Sequence, residues 1–306
     1  MHAEKIRNCQ LDNQKMSQQK VIISQQLDAT LKEAISECEH DMTFILADET
    51  TAKCCLPVIG AFDYLKDAKT IIIEATDTHK NIASLSHVWQ ELSEGGATRH
   101  TLLINIGGGM VTDLGGFAAS TFKRGINYIN IPTTLLSMVD ASVGGKTGIN
   151  FLGLKNEIGV FNNASSVILD TEFLKTLDTE NMLSGYAEML KHGLINNQKM
   201  LDELLTFDIE NPDLQQLQRM VAESVAVKQR IVTEDPTEKG IRKALNLGHT
   251  AGHAFESFAL KHNPVLHGYA VAWGLIVELY LSAFKTGFPA TKCIRRPGLS
   301  WTTMVK

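Results

Sequence analysis

The chain has 306 residues, 44% hydrophobic and 21% charged, which is enough for two domains with sizeable cores and is the balance of a globular protein rather than a disordered one. A formal net charge of −5 argues against nucleic acid or an anionic membrane as the main partner. No run approaches the roughly 18 apolar residues of a membrane span, and the five cysteines (Cys9, Cys38, Cys54, Cys55, Cys293) form no CxxC pair and read as reduced thiols, so the cytoplasm is the expected compartment.

In chain order, residues 1–20 read as a polar extension. Short β-rich runs follow at Met42–Ala47, Thr70–Glu74, Leu102–Ile106 and Ile126–Ile131. Between the second and third lies Asn81–Gly95, whose apolar Ile82, Leu85, Val88, Trp89 and Leu92 mark an amphipathic crossover helix. Strands separated by such helices predict a parallel sheet. Past about Thr171 the pattern turns helical, at Phe173–Leu177, Asn181–Asn196, Asp213–Glu234, Asn246–Ala259 and Gly268–Phe284. The expected organisation is an extension (1–20), an α/β domain (21–170) and a helical domain (171–306), with the site in the cleft between the last two.

Three Gly- or Thr-rich stretches fall at predicted strand ends. Gly107-Gly108-Gly109 with Asp113 follows the third strand and opens a helical segment, where backbone N–H groups and the helix dipole favour a pyrophosphate; a plain tight turn is the bland alternative. Asp140-Ala-Ser-Val-Gly-Gly-Lys146-Thr imitates a phosphate loop, but Asp140 stands where that motif needs glycine, so a nucleoside-triphosphatase reading fails on spacing. A lysine and backbone amides beside a phosphate, or a Gly-rich surface loop, are what remain. Thr133 and Thr134 bring two hydroxyls to the end of the fourth strand, for a ligand or for helix capping.

His249 and His253 are four residues apart on a predicted helix, so both imidazoles can face one cation. Spacing alone nominates these two as a ligand pair, with Glu188 or His267 added, and does not choose how the set is completed. Lys146, Lys155, Lys191, Lys228 and Arg242 stand in or beside these motifs in an otherwise acidic chain, as solvated surface charges or as a pocket for a polyanion.

Taken together and in order, Gly107–Phe117, Arg124-Gly, Pro132–Leu136, Asp140–Asn150, Leu154–Asn156, Gly185–Gly193, Asn246–His253 and His267–Ala272 resemble the 3-dehydroquinate synthase family from about residue 42 to about 285. The resemblance implies an α/β N-terminal nucleotide-binding (Rossmann-like) domain followed by an all-helical C-terminal metal-binding domain, in a homodimer using NAD and a divalent metal, zinc or cobalt. It implies that a phosphorylated sugar acid, 3-deoxy-D-arabino-heptulosonate 7-phosphate, becomes 3-dehydroquinate with loss of phosphate, in the shikimate pathway. Carried over by motif, the metal ligands fall on Glu188, His249 and His267, and His253 moves to the substrate. NAD contacts fall on Asp77, Lys80, Gly108, Gly109, Asp113, Thr133, Thr134, Lys155, Phe173 and Thr176, with Lys146 shared. Substrate and catalytic roles fall on Asp140, Lys146, Asn156, Lys191, Lys228, Arg242, Asn246 and His253.

Family members continue past the helix at Gly268–Phe284 with further helices and another substrate-binding lysine, whereas residues 287–306 here have no helical periodicity and read as a truncation or frame shift after about Lys292. The competing expectations are another sugar-phosphate cyclase, an NAD- and metal-dependent alcohol dehydrogenase, a segment of a multifunctional protein, and a non-catalytic remnant that still binds NAD.

Overall fold

The runs Phe44–Ala47, Leu102–Ile106 and Tyr128–Ile131 are buried throughout, as expected of strands covered by helices on both faces of a sheet. The computed structural model describes residues 19–259 and 262–289. The expectations for the polar extension, except Gln19 and Lys20, and for the tail beyond Pro289 lie outside the described residues.

The strands are β1 (Val21–Ile23), β2 (Thr43–Asp48), β3 (Lys69–Ile73), β4 (Leu102–Gly107), β5 (Asn127–Pro132), β6 (Lys146–Phe151), β7 (Leu154–Phe161) and β8 (Ser166–Leu169). Six pair in one parallel sheet, in the order β1-β8-β5-β4-β2-β3, and β6 and β7 form a separate antiparallel hairpin. The sheet grows to one side of β2 with β3 and to the other with β4, so the carboxyl ends of β2 and β4 flank the switch point where open α/β sheets bind ligands.

The four predicted strands are present. Four more were not read from the sequence, because β1 and β8 are three and four residues long and too short to show periodicity. The hairpin was missed for another reason: Gly148 and Gly159 face each other across it, and a Cβ on Gly159 would lie 2.0 Å from the Thr147 carbonyl oxygen. Close backbone approach demanded the glycines that made the segment read as a loop. Lys146 is thus the first residue of a strand, not part of a surface loop.

Helices α1 (Leu27–Ser36), α2 (Glu49–Cys54), α3 (Leu56–Ile59), α4 (Ile82–Glu94) and α5 (Gly109–Thr121) accompany the sheet. α4 is the predicted crossover: Asn81 caps it by accepting from the Ala83 and Ser84 N–H groups, and Leu85, Val88 and Leu92 face the core. Gly108 is the N-cap of α5 and offers no side-chain acceptor, so its first-turn amides keep no side-chain partner there.

After β8 the described residues hold helices and no strand: α6 (Thr179–Asn196), α7 (Gln198–Thr206), α8 (Leu214–Glu234), α9 (His249–Ala259) and α10 (His267–Thr286). Asp178, Asn197 and Asp213 cap α6, α7 and α8 with their side chains. The helix predicted from Asn246 begins three residues later, because Ile241–Asn246 makes 3-10 turns and Gly248 then takes φ +83, which breaks the helical run.

Candidate active site

From Met182 to Gly193 α6 is buried on every side, yet it carries Glu188 and Lys191 at 0% and 1% exposure and a fully buried His192. Burying charges costs several kcal/mol per ion unless partners compensate, so this helix is where chemistry is to be sought.

Oε1 of Glu188 lies 3.5 Å from Nε2 of His249 and 3.7 Å from Nε2 of His267, and it has no hydrogen-bond partner among the described residues. Those separations are long for hydrogen bonds, but a tetrahedral cation bound at about 2.1 Å holds its donors about 3.4 Å apart. The donor set therefore fits zinc or cobalt, and one coordination position would remain for a ligand. Nδ1 of His249 faces the Leu247 carbonyl at 3.3 Å, which directs its Nε2 lone pair inward. His253 joins the same cluster, its ring centroid 5.4 Å from His249 and 5.8 Å from His267, but it is exposed. Helical spacing alone favoured the pair His249 and His253; the buried carboxylate opposite His249 and His267 supports the other set.

The electrostatics suit a cation. Burial works against ionising Glu188, but Lys191, which pairs with its Oε2, holds its carboxyl below the usual range. Burial pushes His249 down, as a neutral ligand requires. Burial also opposes protonation of His267, but Glu256 and Glu188 outweigh it and raise its pKa.

Around this centre lie the residues carried over for substrate. Asp140, on the turn after β5, accepts from Lys228 Nζ of α8 at 2.5 Å, and although burial works against its charge, Lys228 and Lys191 keep its carboxyl well below the ordinary value. Lys228 itself is pushed down by burial. Lys146 pairs at 2.5 Å with Oε2 of Glu238, whose Oε1 accepts from Asn246 Nδ2 at 2.7 Å. Arg242 is buried, donating to the Pro236 and Gly144 carbonyls. Glu238 was missed by the sequence reading: it takes φ +60, a strained value for a non-glycine residue, inside a Pro- and Gly-containing run that reads as an ordinary turn.

A second group forms at the switch point. Buried Lys80 donates to Asp113 Oδ2 at 2.9 Å and to Asn156 Oδ1 at 2.5 Å and lies 3.7 Å from Asp77. Asn156, assigned to substrate, thus stands among the residues assigned to NAD. Burial raises the Asp113 pKa, against the pull of Lys80. A Cβ on Gly108 would lie 3.2 Å from Thr134, which puts the glycine turn beside Thr133 and Thr134. Lys155 reaches Glu256 at 2.7 Å and Asp77 at 3.5 Å. Phe173 and Thr176 stand apart, lining a cavity of about 960 Å³ with Cys54, Gln218 and Arg219.

His192 lies inside the Gly185–Gly193 motif, but that motif assigns it no role of its own. Its Nδ1 meets the Ser224 hydroxyl at 2.7 Å, its Nε2 has no hydrogen-bond partner among the described residues, and it shares a cluster with Asp140 and Glu188. Burial, reinforced by Lys191, pushes its pKa down to about 3. Between that value and the unfolded value near 6.5 the folded chain binds fewer protons, so stability falls as pH drops through the window, by on the order of 5 kcal/mol if the whole shift is expressed. Urea midpoints measured from pH 7 to 4 are expected to fall less steeply in His192→Asn than in the parent chain. Parallel curves would refute the buried neutral imidazole.

Family models described as 3-dehydroquinate synthase N-terminal and 3-dehydroquinate synthase C-terminal match residues 70–184 and 185–297. A 3-dehydroquinate synthase of Parabacteroides distasonis is 53% identical over 278 residues, 90% of this chain and 79% of the relative. One of Pyrococcus furiosus is 38% identical, covering 87% and 78%. Among solved structures, a 2-deoxy-scyllo-inosose synthase complexed with carbaglucose-6-phosphate, NAD+ and Co2+ superposes with a TM-score of 0.81 at 23% identity, over 94% of this chain and 79% of that one. The 2-epi-5-epi-valiolone synthase of Streptomyces hygroscopicus, with NAD+ and Zn2+ bound, gives 0.77 at 23% identity, over 95% and 86%. At such identities the structural likeness speaks for the fold.

Proposed function

The chain belongs to the 3-dehydroquinate synthase family, and we propose that it is an NAD- and metal-dependent lyase converting 3-deoxy-D-arabino-heptulosonate 7-phosphate to 3-dehydroquinate and phosphate. The observation that carries the reading is the unpartnered, fully buried Glu188 oxygen facing Nε2 of both His249 and His267. When bound, the metal would supply a Lewis acid for the substrate hydroxyls, and NAD would supply a reversible hydride acceptor.

The chain's own residues do the rest. Glu188, His249 and His267 hold the metal. Asp77, Lys80, the turn from Gly108 to Asp113, Thr133, Thr134 and Lys155 would hold the dinucleotide, while Phe173 and Thr176, which line a separate cavity, are assigned to it by motif alone. Lys146, Lys191, Lys228 and Arg242 neutralise the substrate's phosphate and carboxylate, while Asp140 and Glu238 fix the positions of Lys228 and Lys146. His253, exposed at the cluster's edge, and Asn246 orient the substrate, and Asn156 sits where both ligands would meet. Burial of Glu188, Lys191 and Lys228 keeps water from the charged centre, which strengthens each of these contacts.

We divide the chain at residue 170, between β8 and the helical part, and place the reaction in the shikimate pathway, in the cytoplasm and in a homodimer. Exposed Leu152, Leu154 and Phe161 on the hairpin support a self-associating surface.

Phosphate release from the substrate, with NAD and zinc or cobalt supplied and NADH absorbance followed in parallel, tests the reading. Phosphate without accumulating NADH is the expected result. Net NADH would support an alcohol dehydrogenase, and no phosphate under any metal would sink the lyase.

A further inference from the structure

Glu256 lies on α9 two turns beyond His249, on the same helical face, with only 5% of its surface exposed. Nothing in the metal, dinucleotide or substrate assignments uses it. Its carboxylate nevertheless faces two of those groups at once. Oε2 is 3.5 Å from Nδ1 of His267, the ring nitrogen on the side away from Glu188, and Oε1 is 2.7 Å from Nζ of Lys155. Lys155 in turn lies 3.5 Å from Asp77.

Each contact has a definite consequence. An acceptor beside Nδ1 keeps that nitrogen protonated in the neutral ring, leaving the lone pair on Nε2, the atom that faces Glu188; the Leu247 carbonyl does the same for His249. On the other side, every residue of β7 is exposed, and the hydrogen bonds that hold the end of the hairpin carrying Lys155, from Lys80 to Asn156 and from Asn150 to the Asp77 carbonyl, stay within the α/β half. An ion pair to a buried carboxylate on the helical half of the molecule supplies an anchor across the cleft.

We propose that Glu256 is a positioning residue that aims His267 Nε2 into the metal site with one carboxylate oxygen and clamps the β6–β7 hairpin, on the dinucleotide side of the cleft, with the other. The inference rests on reading Glu188, His249 and His267 as metal ligands, and the two halves of the role separate chemically. A glutamine whose oxygen accepts from Nδ1 of His267 turns its NH2 toward Lys155, and that group carries no charge and accepts no hydrogen bond from an ammonium.

The experiment uses the full chain, with zinc affinity read by competition against a chromophoric chelator and backbone hydrogen exchange of residues 146–161 read by mass spectrometry. In Glu256→Ala, zinc affinity is expected to fall by about tenfold to a hundredfold, the range for losing such an outer partner, and the hairpin amides to exchange faster. In Glu256→Gln, zinc affinity returns to within about threefold of the parent because an acceptor is restored, while the fast exchange persists. Parental zinc affinity in Glu256→Ala would overturn the aiming role while leaving the metal site intact. Parental exchange in Glu256→Gln, a near-isosteric variant, would overturn the clamp. A parent chain that binds no zinc at all would overturn the metal reading, and this inference with it.

Discussion

Replacing Glu188 with alanine is expected to remove bound zinc and to lower phosphate release by about a thousandfold or more, the scale of losing several kcal/mol of Lewis-acid stabilisation. It should also cost about 3–5 kcal/mol of stability, because Lys191, at 1% exposure, would be left as a buried charge without its carboxylate. The two effects can be separated. Glu188→Gln keeps the volume and one acceptor oxygen, so it should fold better than the alanine variant, yet it offers zinc a neutral amide in place of an anion. In Glu188→Ala with Lys191→Met, the orphaned charge is gone, so stability should recover while metal content does not. Metal analysis and urea melts on the same preparations decide it: stoichiometric zinc with undiminished turnover in Glu188→Gln would remove this residue from the ligand set.

Gly268→Ala should be nearly as damaging without touching a single functional group. A Cβ at Gly268 would lie 1.9 Å from the Ser184 carbonyl oxygen and 2.5 Å from the Ser184 Cα and carbonyl carbon, all backbone of α6. Normal contact would require α6 and α10 to part by more than about 1 Å, since interiors are packed too closely to absorb a methyl group at such a place. Ser184 lies one helical turn before Glu188 and on the same face, and Gly268 follows His267 directly. The forced separation therefore falls on the pair whose oxygen and nitrogen lie 3.7 Å apart. Zinc affinity is expected to drop by at least about a hundredfold, because ligand distances are tolerated only within about 0.2 Å, and stability by about 1–3 kcal/mol. Gly287→Ala is the control: it sits at φ +72 with nothing within 4 Å of its Cβ, so it should cost about 1–2 kcal/mol of backbone strain and leave zinc binding unchanged. Equal zinc affinity in the two variants would show that the spacing of α6 and α10 does not govern the site.

What the sequence by itself determined was local. Runs such as Leu102–Ile106 are apolar because both faces of a covered parallel strand are buried, and the spacing of Leu85, Val88 and Leu92 marks one face of a helix. Both patterns act over a few residues and can be read without knowing the partner. The series of motifs from Gly107 to Ala272 likewise named the chemistry, since each needs residue types at short fixed intervals. The tertiary structure decided what meets what. Helical spacing put His249 and His253 on one side of α9, but only the packing of α10 against both α6 and α9 brings the Glu188 carboxylate opposite His249 and His267. The pairing of Lys146 with Glu238, of Lys228 with Asp140 and of Lys155 with Glu256 each spans most of a hundred residues or more, as does the meeting of Gly268 with Ser184. The physical reason is that periodicity reports which face of an element avoids water, while the partner of a buried charge is chosen by helix approach and desolvation across the whole chain, quantities that no local window contains.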